Sequence, residues 1–78
     1  MSKSVFTQRY ESLRRALVEA RTSRGLTQSA LSKRLRRPQS FVSKYERGER
    51  RLDVIEFVEL AEALELDPSK LLGQVMRG

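Results

Sequence analysis

Pro38 stands within the most basic part of the chain and divides it into two short segments of helical character. The residue before a proline is pushed out of the α region, so Arg37 is expected to lie in a turn. Pro38 itself suits the first turn of a new helix, where a missing backbone N–H costs nothing. Upstream, Thr27 is a favourable N-cap for a two-turn helix over residues 28–35. Two short helices joined by a turn of about three residues predict a helix-turn-helix.

The second of these helices begins with small or amide side chains, Gln39 and Ser40, and is closed by Gly48. A helix that enters a DNA major groove, which is about 12 Å wide, needs such side chains in its first turn because they can approach base edges. Gln39 can pair with adenine through two hydrogen bonds, a contact worth about 1–3 kcal/mol of discrimination. The apolar residues of this helix are expected to face inward: Phe41, Val42 and Tyr45.

Apolar residues recur at helical spacing in the rest of the chain as well. The first helix has one such face, formed by Phe6, Tyr10, Leu13, Leu17 and Ala20, and Gly25 ends it. Asp53 and Glu56 resemble a capping box that opens a fourth helix, and Asp67-Pro68 opens a fifth. No segment alternates as a strand does. The sequence therefore predicts an all-α, five-helix bundle in a single domain over residues 1–78, with helices at about 5–24, 28–35, 39–47, 54–65 and 68–76.

Composition excludes several classes of function. The chain has no cysteine and no histidine, which argues against disulfides, zinc sites and His-based or Cys-based catalysis. We therefore expect no enzyme, no metal and no cofactor. The N-terminus has no apolar run that would make a secretory signal, and no stretch is long enough to cross a bilayer. These features predict a cytoplasmic protein without a membrane partner.

Charge is distributed unevenly along the chain. Residues 1–51 carry 14 Lys/Arg and 4 Asp/Glu, a net charge of +10, whereas residues 52–78 carry 2 and 6, a net charge of −4. A basic half of this kind is typical of a protein that binds a polyanion, and it lacks the broad apolar face that a membrane-binding helix needs. Nucleic acid is the favoured partner.

The segments LTQSALSKRL (26–35) and PQSFVSKYERGERR (38–51) resemble the lambda-repressor and Cro-like, or Xre, helix-turn-helix family. The resemblance covers roughly residues 10–72. It implies a compact bundle of five helices that usually binds operator DNA as a homodimer. Three side chains match positions that face the groove and read bases: Gln39, Ser40 and Lys44.

The resemblance also implies roles for residues around the recognition helix. Contacts with backbone phosphates are expected from Gln28, Arg37, Ser43, Arg47 and Arg50, and Gln28 is also expected to brace Gln39. Arg21 and Glu46 match a pair that often forms a buried ion pair between the first and third helices. Arg14 and Arg15 are expected on a solvated face.

Two positions leave alternatives open. Arg36 stands where the family prefers glycine, because the backbone turns there with a positive φ; an arginine in that conformation costs roughly 1–2 kcal/mol. Either Arg36 bears this strain or the turn adjusts, and Arg36 offers an additional phosphate contact. Phe41 matches a variable position on the recognition helix, where it either packs inward or reads a base by touching a thymine methyl group.

The last two helices are too apolar to be fully solvated. Apolar residues not used in the core are expected to form a self-complementary dimer patch, with Leu66, Leu71, Leu72, Val75 and Met76 as its members. A two-fold dimer places two recognition helices about 34 Å apart and reads a palindrome in double-stranded DNA.

The sequence thus predicts a dimeric, sequence-specific transcriptional regulator, a repressor or autoregulator, controlled without a separate ligand-sensing domain. The alternative is a protein-interaction module that contacts a toxin or RNA polymerase and binds DNA only secondarily. The basic surface around Gln28, Gln39 and Lys44 favours the first function, because a pure protein adaptor does not need it.

Overall fold

The computed structural model describes residues 7–77 and contains five helices within that range. They are α1 (Gln8–Ser23), α2 (Gln28–Leu35), α3 (Gln39–Glu46), α4 (Val54–Ala63) and α5 (Pro68–Arg77). The prediction of an all-α bundle of five helices is confirmed, and the predicted start of the first helix at residue 5 lies outside the described residues. Phe6, which was assigned to the apolar face of the first helix, lies outside the described residues.

Side chains just before α1, α2, α4 and α5 satisfy backbone N–H groups that the first turn leaves unpaired; before α5, Asp67 accepts the Ser69 N–H at 3.0 Å. Thr7 accepts a hydrogen bond from the Tyr10 N–H, and Thr27 accepts one from the Ala30 N–H. Asp53 and Glu56 form a complete capping box at the start of α4. Pro38 precedes α3 without a side-chain cap, so the helix that carries Gln39 starts directly after a rigid extended residue.

All five helices contribute to one apolar core. Its fully enclosed centre consists of Leu17, Leu31, Val42, Tyr45, Leu60 and Leu64. Phe57 and Leu71 extend this cluster toward α4 and α5. Tyr10 and Tyr45, which were expected to face the core, are buried, and so is Phe57.

Four of the connections begin with the same backbone motif. After each of α1 to α4, a residue with positive φ is followed by one whose N–H reaches back to the carbonyl five residues earlier. Glycine occupies this left-handed position at Gly25 and Gly48, but Arg36 (φ 57°) and Glu65 (φ 59°) occupy it elsewhere. Arg36 thus bears the backbone strain and the turn does not adjust, while the conformation of Glu65 was not anticipated.

Candidate nucleic-acid interface

Helix α3 has one buried and one exposed face. Val42 and Tyr45 are fully enclosed, which fixes the helix against the rest of the bundle. Gln39, Ser40 and Lys44 are exposed, as expected for side chains that must reach another molecule. Ser43 is half-buried, and its hydroxyl donates a hydrogen bond to the Ser40 carbonyl. The rigid backbone of α3 therefore presents an amide, a hydroxyl and an ammonium group on a single surface.

Phe41 belongs to the core and not to the exposed face. Its side chain is only 7% exposed, and its ring lies 5.7 Å from that of Tyr45 in a tilted arrangement. The guanidinium groups of Arg37 and Arg50 lie 4.8 Å and 4.9 Å from the centre of the Phe41 ring. Of the two orientations that the sequence left open, the structure has the inward one. The assignment of Phe41 as a base-reading residue is therefore wrong, because its buried ring has no path to a thymine methyl group.

An ion pair between Arg21 and Glu46 joins α1 to α3. The Arg21 Nε–H and Nη2–H groups donate to the two Glu46 carboxylate oxygens at 2.7 Å and 3.0 Å. Arg21 also donates from Nη1 to the Leu26 carbonyl at 2.7 Å, so one guanidinium group ties α1 to α3 and to the loop that precedes α2. Hydrogen bonding with the Glu46 carboxylate raises the pKa of Arg21. The arrangement holds α3 at a fixed position relative to α1.

Gln28 joins the same network. Its side-chain nitrogen donates to Glu46 Oε1 at 2.9 Å, so it braces the end of α3 where Glu46 lies. The expected brace was to Gln39, at the opposite end of that helix. In the described structure the Gln28 amide nitrogen is engaged with Glu46 instead, because that carboxylate is buried and requires donors beyond Arg21.

Each of the three arginines expected to contact phosphate has an acidic partner. Arg47 donates to both carboxylate oxygens of Glu49, with Nε–O and Nη2–O distances of 3.0 Å and 3.1 Å. Arg37 donates from Nη2 to Glu59 Oε1 at 3.1 Å. The Arg37–Glu59 pairing could not be predicted from a local pattern, since the two residues are 22 positions apart.

Arg50 is held by the most enclosed of these carboxylates. Its two terminal nitrogens donate to the two oxygens of Glu56 at 2.9 Å and 2.8 Å, and Arg37 Nη1 lies 3.8 Å from Glu56 Oε2. Glu56 is only 6% exposed and also accepts the Asp53 N–H within the capping box. The hydrogen bonds from Arg50 lower the pKa of Glu56 to about 2. Glu56 thus links the loop after α3 to the start of α4.

Helix α1 supports this loop from the other side. Arg14 donates from Nε and Nη2 to Glu11 and from Nη1 to the Glu46 carbonyl. The Tyr10 hydroxyl donates to the Arg50 carbonyl at 3.4 Å, and the Arg51 guanidinium lies 4.3 Å from the centre of the Tyr10 ring. The expectation that Arg14 lies on a solvated face is wrong, because its side chain is half-buried and its guanidinium group caps the end of α3.

The expected dimer patch is only partly exposed. Leu71 is 7% exposed and belongs to the core, and Leu66 is half-buried against the same cluster, so neither presents its side chain freely. Leu71 is therefore wrong as an interface residue. Leu72 and Met76, four residues apart on α5, are 45% and 70% exposed, and Val75 between them is half-buried. Val54 and Ile55 in the first turn of α4 are also exposed, at 75% and 65%.

Comparison with known proteins identifies the chain as a helix-turn-helix protein. The helix-turn-helix family model matches residues 17–71, which include α2, the turn at Arg36 and α3. No curated protein matches the chain significantly. No helix in the described part of the chain is long and apolar enough to cross a membrane.

Solved structures narrow this class to a family. The chain is similar to an XRE-family like protein from Pseudomonas syringae pv. tomato, with 51% sequence identity, a TM-score of 0.85, and coverage of 88% of this chain and 84% of that one. It is also similar to the restriction-modification controller protein C.AhdI from Aeromonas hydrophila, with 33% identity, a TM-score of 0.70, and coverage of 77% and 91%. The controller protein C.Esp1396I shares the fold, with a TM-score of 0.81 at 17% identity over 92% of this chain and 94% of that one.

The chain belongs to the Xre-like helix-turn-helix family of DNA-binding transcription regulators. The resemblance read from the two sequence segments is thereby confirmed.

Proposed function

We propose that this regulator is a homodimer that reads a palindromic operator with α3 in the major groove and acts as a repressor or autoregulator in the cytoplasm. The observation that carries the proposal is the division of α3 into two faces. Gln39, Ser40 and Lys44 are exposed, while Val42 and Tyr45 hold the helix in the core. A reading helix needs this combination, because base contacts are specific only when the helix that carries them is rigid.

Base reading is assigned to Gln39, Ser40 and Lys44. Gln39 is the first residue of α3 and is exposed, so its amide can approach a base edge end-on. Lys44 lies one turn beyond Ser40 on the same side of the helix. Phe41 is excluded from this set by its burial.

Phosphate contacts are assigned to residues on and around the reading helix, namely Gln28, Arg37, Ser43, Arg47 and Arg50. Phosphate contacts fix the register of a protein on the duplex but carry no sequence information. Arg47 is the most exposed arginine of the set, with 57% of its side chain accessible, so it is the strongest candidate for a direct phosphate contact. Arg50 is the weakest, because Glu56 already occupies both of its terminal nitrogens.

The dimer interface is assigned to the outer face of α5. Leu72, Val75 and Met76 expose apolar surface on one side of this helix, and the acidic residues of 52–78 all precede it, on α4 and in the segments that flank α4. A two-fold axis through this face sets two copies of α3 about one DNA turn apart. A small core also gains from association, since a domain of this size buries limited apolar area.

Selection from randomised duplex DNA at several salt concentrations tests the proposal. We expect enrichment of a palindrome whose half-sites are centred about one helical turn apart. Gln39→Ala should relax base preference at one position of each half-site, whereas Arg47→Ala should weaken binding to all sequences about equally. Weak binding to every sequence that moderate salt abolishes would overturn sequence-specific reading. Sedimentation of the wild type and of Leu72→Glu tests the dimer, which is refuted if both are monomeric free and on DNA.

A protein-interaction module is the second candidate, and the exposed pair Val54 and Ile55 favours it. These side chains lie at the start of α4 and do not belong to the α5 residues assigned to the dimer, so the proposed dimer does not require them. A toxin or RNA polymerase is the class of partner in question. The double variant Val54→Ser, Ile55→Ser separates the two functions. If the double variant loses regulation of a reporter gene while its DNA affinity and oligomeric state are unchanged, a protein partner binds at these residues. If regulation of the reporter is unchanged, such a partner is excluded.

A further inference from the structure

Two arginines of the proposed phosphate-binding set are held by exposed glutamates. Arg47 and Glu49 are paired through two hydrogen bonds, and more than half of each side chain is accessible to solvent. Arg37 and Glu59 are joined by a hydrogen bond of 3.1 Å and are also substantially accessible. Both pairs flank α3, one at its beginning and the other at its end.

These contacts occupy the donor groups that a phosphate would use. A guanidinium group binds carboxylate and phosphate through the same planar fork of N–H donors. In Arg47, the Nε–H and Nη2–H groups that form one such fork both point at Glu49. Hydrogen bonds with Arg47 lower the pKa of Glu49 from a value that is already acidic, which favours its charged form. A DNA phosphate that approaches Arg47 therefore meets an anion already in its place.

We propose that Glu49 and Glu59 compete with DNA phosphates for Arg47 and Arg37 and thereby limit the affinity of this regulator for DNA. The inference rests on the proposed function, because it requires α3 and its flanking arginines to face the duplex. Each glutamate carboxylate occupies the guanidinium group that one DNA phosphate would otherwise bind. Binding must exchange an intramolecular ion pair for an intermolecular one at these two arginines, so their net contribution to affinity is smaller than that of an arginine without an acidic neighbour.

The third pair, Arg50 with Glu56, differs from the two exposed pairs because its carboxylate is buried. The Glu56 carboxylate is buried and also accepts the Asp53 N–H, so its removal disturbs the start of α4. Exchange with a phosphate would leave a buried charge without its main partner, which is costly. The carboxylates of Glu49 and Glu59 are exposed, so these two pairs can open without leaving a buried carboxylate unpaired.

Glu49→Gln and Glu59→Gln test the proposal, with Glu62→Gln as the matched control. Glu62 lies on α4 three residues beyond Glu59, is exposed, and forms no ion pair among residues 7–77. All three changes remove one negative charge and retain the shape of the side chain. Affinity for the selected operator and for an unrelated duplex is measured at a series of salt concentrations.

We expect Glu49→Gln and Glu59→Gln each to raise DNA affinity about 1.5- to 5-fold, the range that an exposed ion pair supports. The slope of log affinity against log salt should become steeper by up to about 1 for each arginine released. Glu62→Gln should change both quantities less. In an Arg47→Gln background, Glu49→Gln should raise DNA affinity no more than Glu62→Gln does, because the arginine for which Glu49 competes is absent. In an Arg37→Gln background, Glu59→Gln should likewise raise affinity no more than Glu62→Gln does.

Three results contradict the proposal. Equal effects of Glu49→Gln, Glu59→Gln and Glu62→Gln would show that only net charge matters. A gain from Glu49→Gln that persists in the Arg47→Gln background would show that Arg47 is not involved. Reduced affinity of both single variants, with unchanged thermal stability, would show that the glutamates orient the arginines productively. A wild-type protein that binds no duplex at all would instead refute the proposed function.

Discussion

Arg36 is the position at which sequence and backbone geometry conflict most clearly. It adopts φ 57° and ψ 42°, while its N–H and that of Arg37 close the end of α2. A side chain with a Cβ atom costs roughly 1–2 kcal/mol in this region. Glycine avoids that cost but loses about 0.5–1 kcal/mol through the greater freedom of the unfolded chain. Arg36→Gly should therefore increase the free energy of unfolding by about 0.5–1 kcal/mol.

Thermal and urea unfolding measure this difference directly. For a domain of this size, a gain of 0.5–1 kcal/mol corresponds to an increase in Tm of about 2–8 °C. Arg36→Ala is the control, since it removes the same positive charge but keeps a Cβ atom in the left-handed conformation. If Arg36→Gly is no more stable than Arg36→Ala, the strain argument is wrong. Glu65 has a φ of 59° at the end of α4, so the same glycine substitution and unfolding measurement at this position test the strain argument independently.

Three further predictions concern groups in and around the core. Tyr45→Phe should raise the free energy of unfolding by about 1 kcal/mol in urea titrations, because the enclosed hydroxyl has no hydrogen-bond partner among the described residues; a clear loss of stability would refute this. Glu46→Ala should cost about 3–5 kcal/mol and leave the protein largely unfolded by circular dichroism, whereas the double variant Arg21→Met, Glu46→Leu should recover most of the loss. The stabilisation from the depressed pKa of Glu56 should be present above about pH 4.5 and be lost as the pH falls toward 2. Glu56→Gln, which retains the capping box, should flatten the stability profile in that pH window, and an unchanged profile would contradict the assignment.

Local signals in the sequence predicted most of the fold. Thr27, Asp53 and Asp67-Pro68 mark the starts of three helices, because caps act within a few residues of the chain and need no tertiary partner. The interruption at Pro38 sets the beginning of α3 for the same reason. The positive φ of Arg36 was one of two alternatives that the family resemblance left open. The identical conformation of Glu65 was missed, because a glutamate at that position carries no local signal of a left-handed turn.

Tertiary structure decided what each surface contacts. Helical periodicity indicates which residues share a face, but it cannot say which neighbouring element covers that face. Phe41 is buried and Leu71 lies in the core, while Leu72 next to it is exposed. The partners of Arg37 and Arg50 lie beyond the reading helix at Glu59 and Glu56, and helix packing alone brings those charges together. The sequence by itself determined the helices and the exposed face of α3, whereas only the packed structure determined which arginines are already paired with carboxylates, because ion pairs between helices depend on distances that no local pattern encodes.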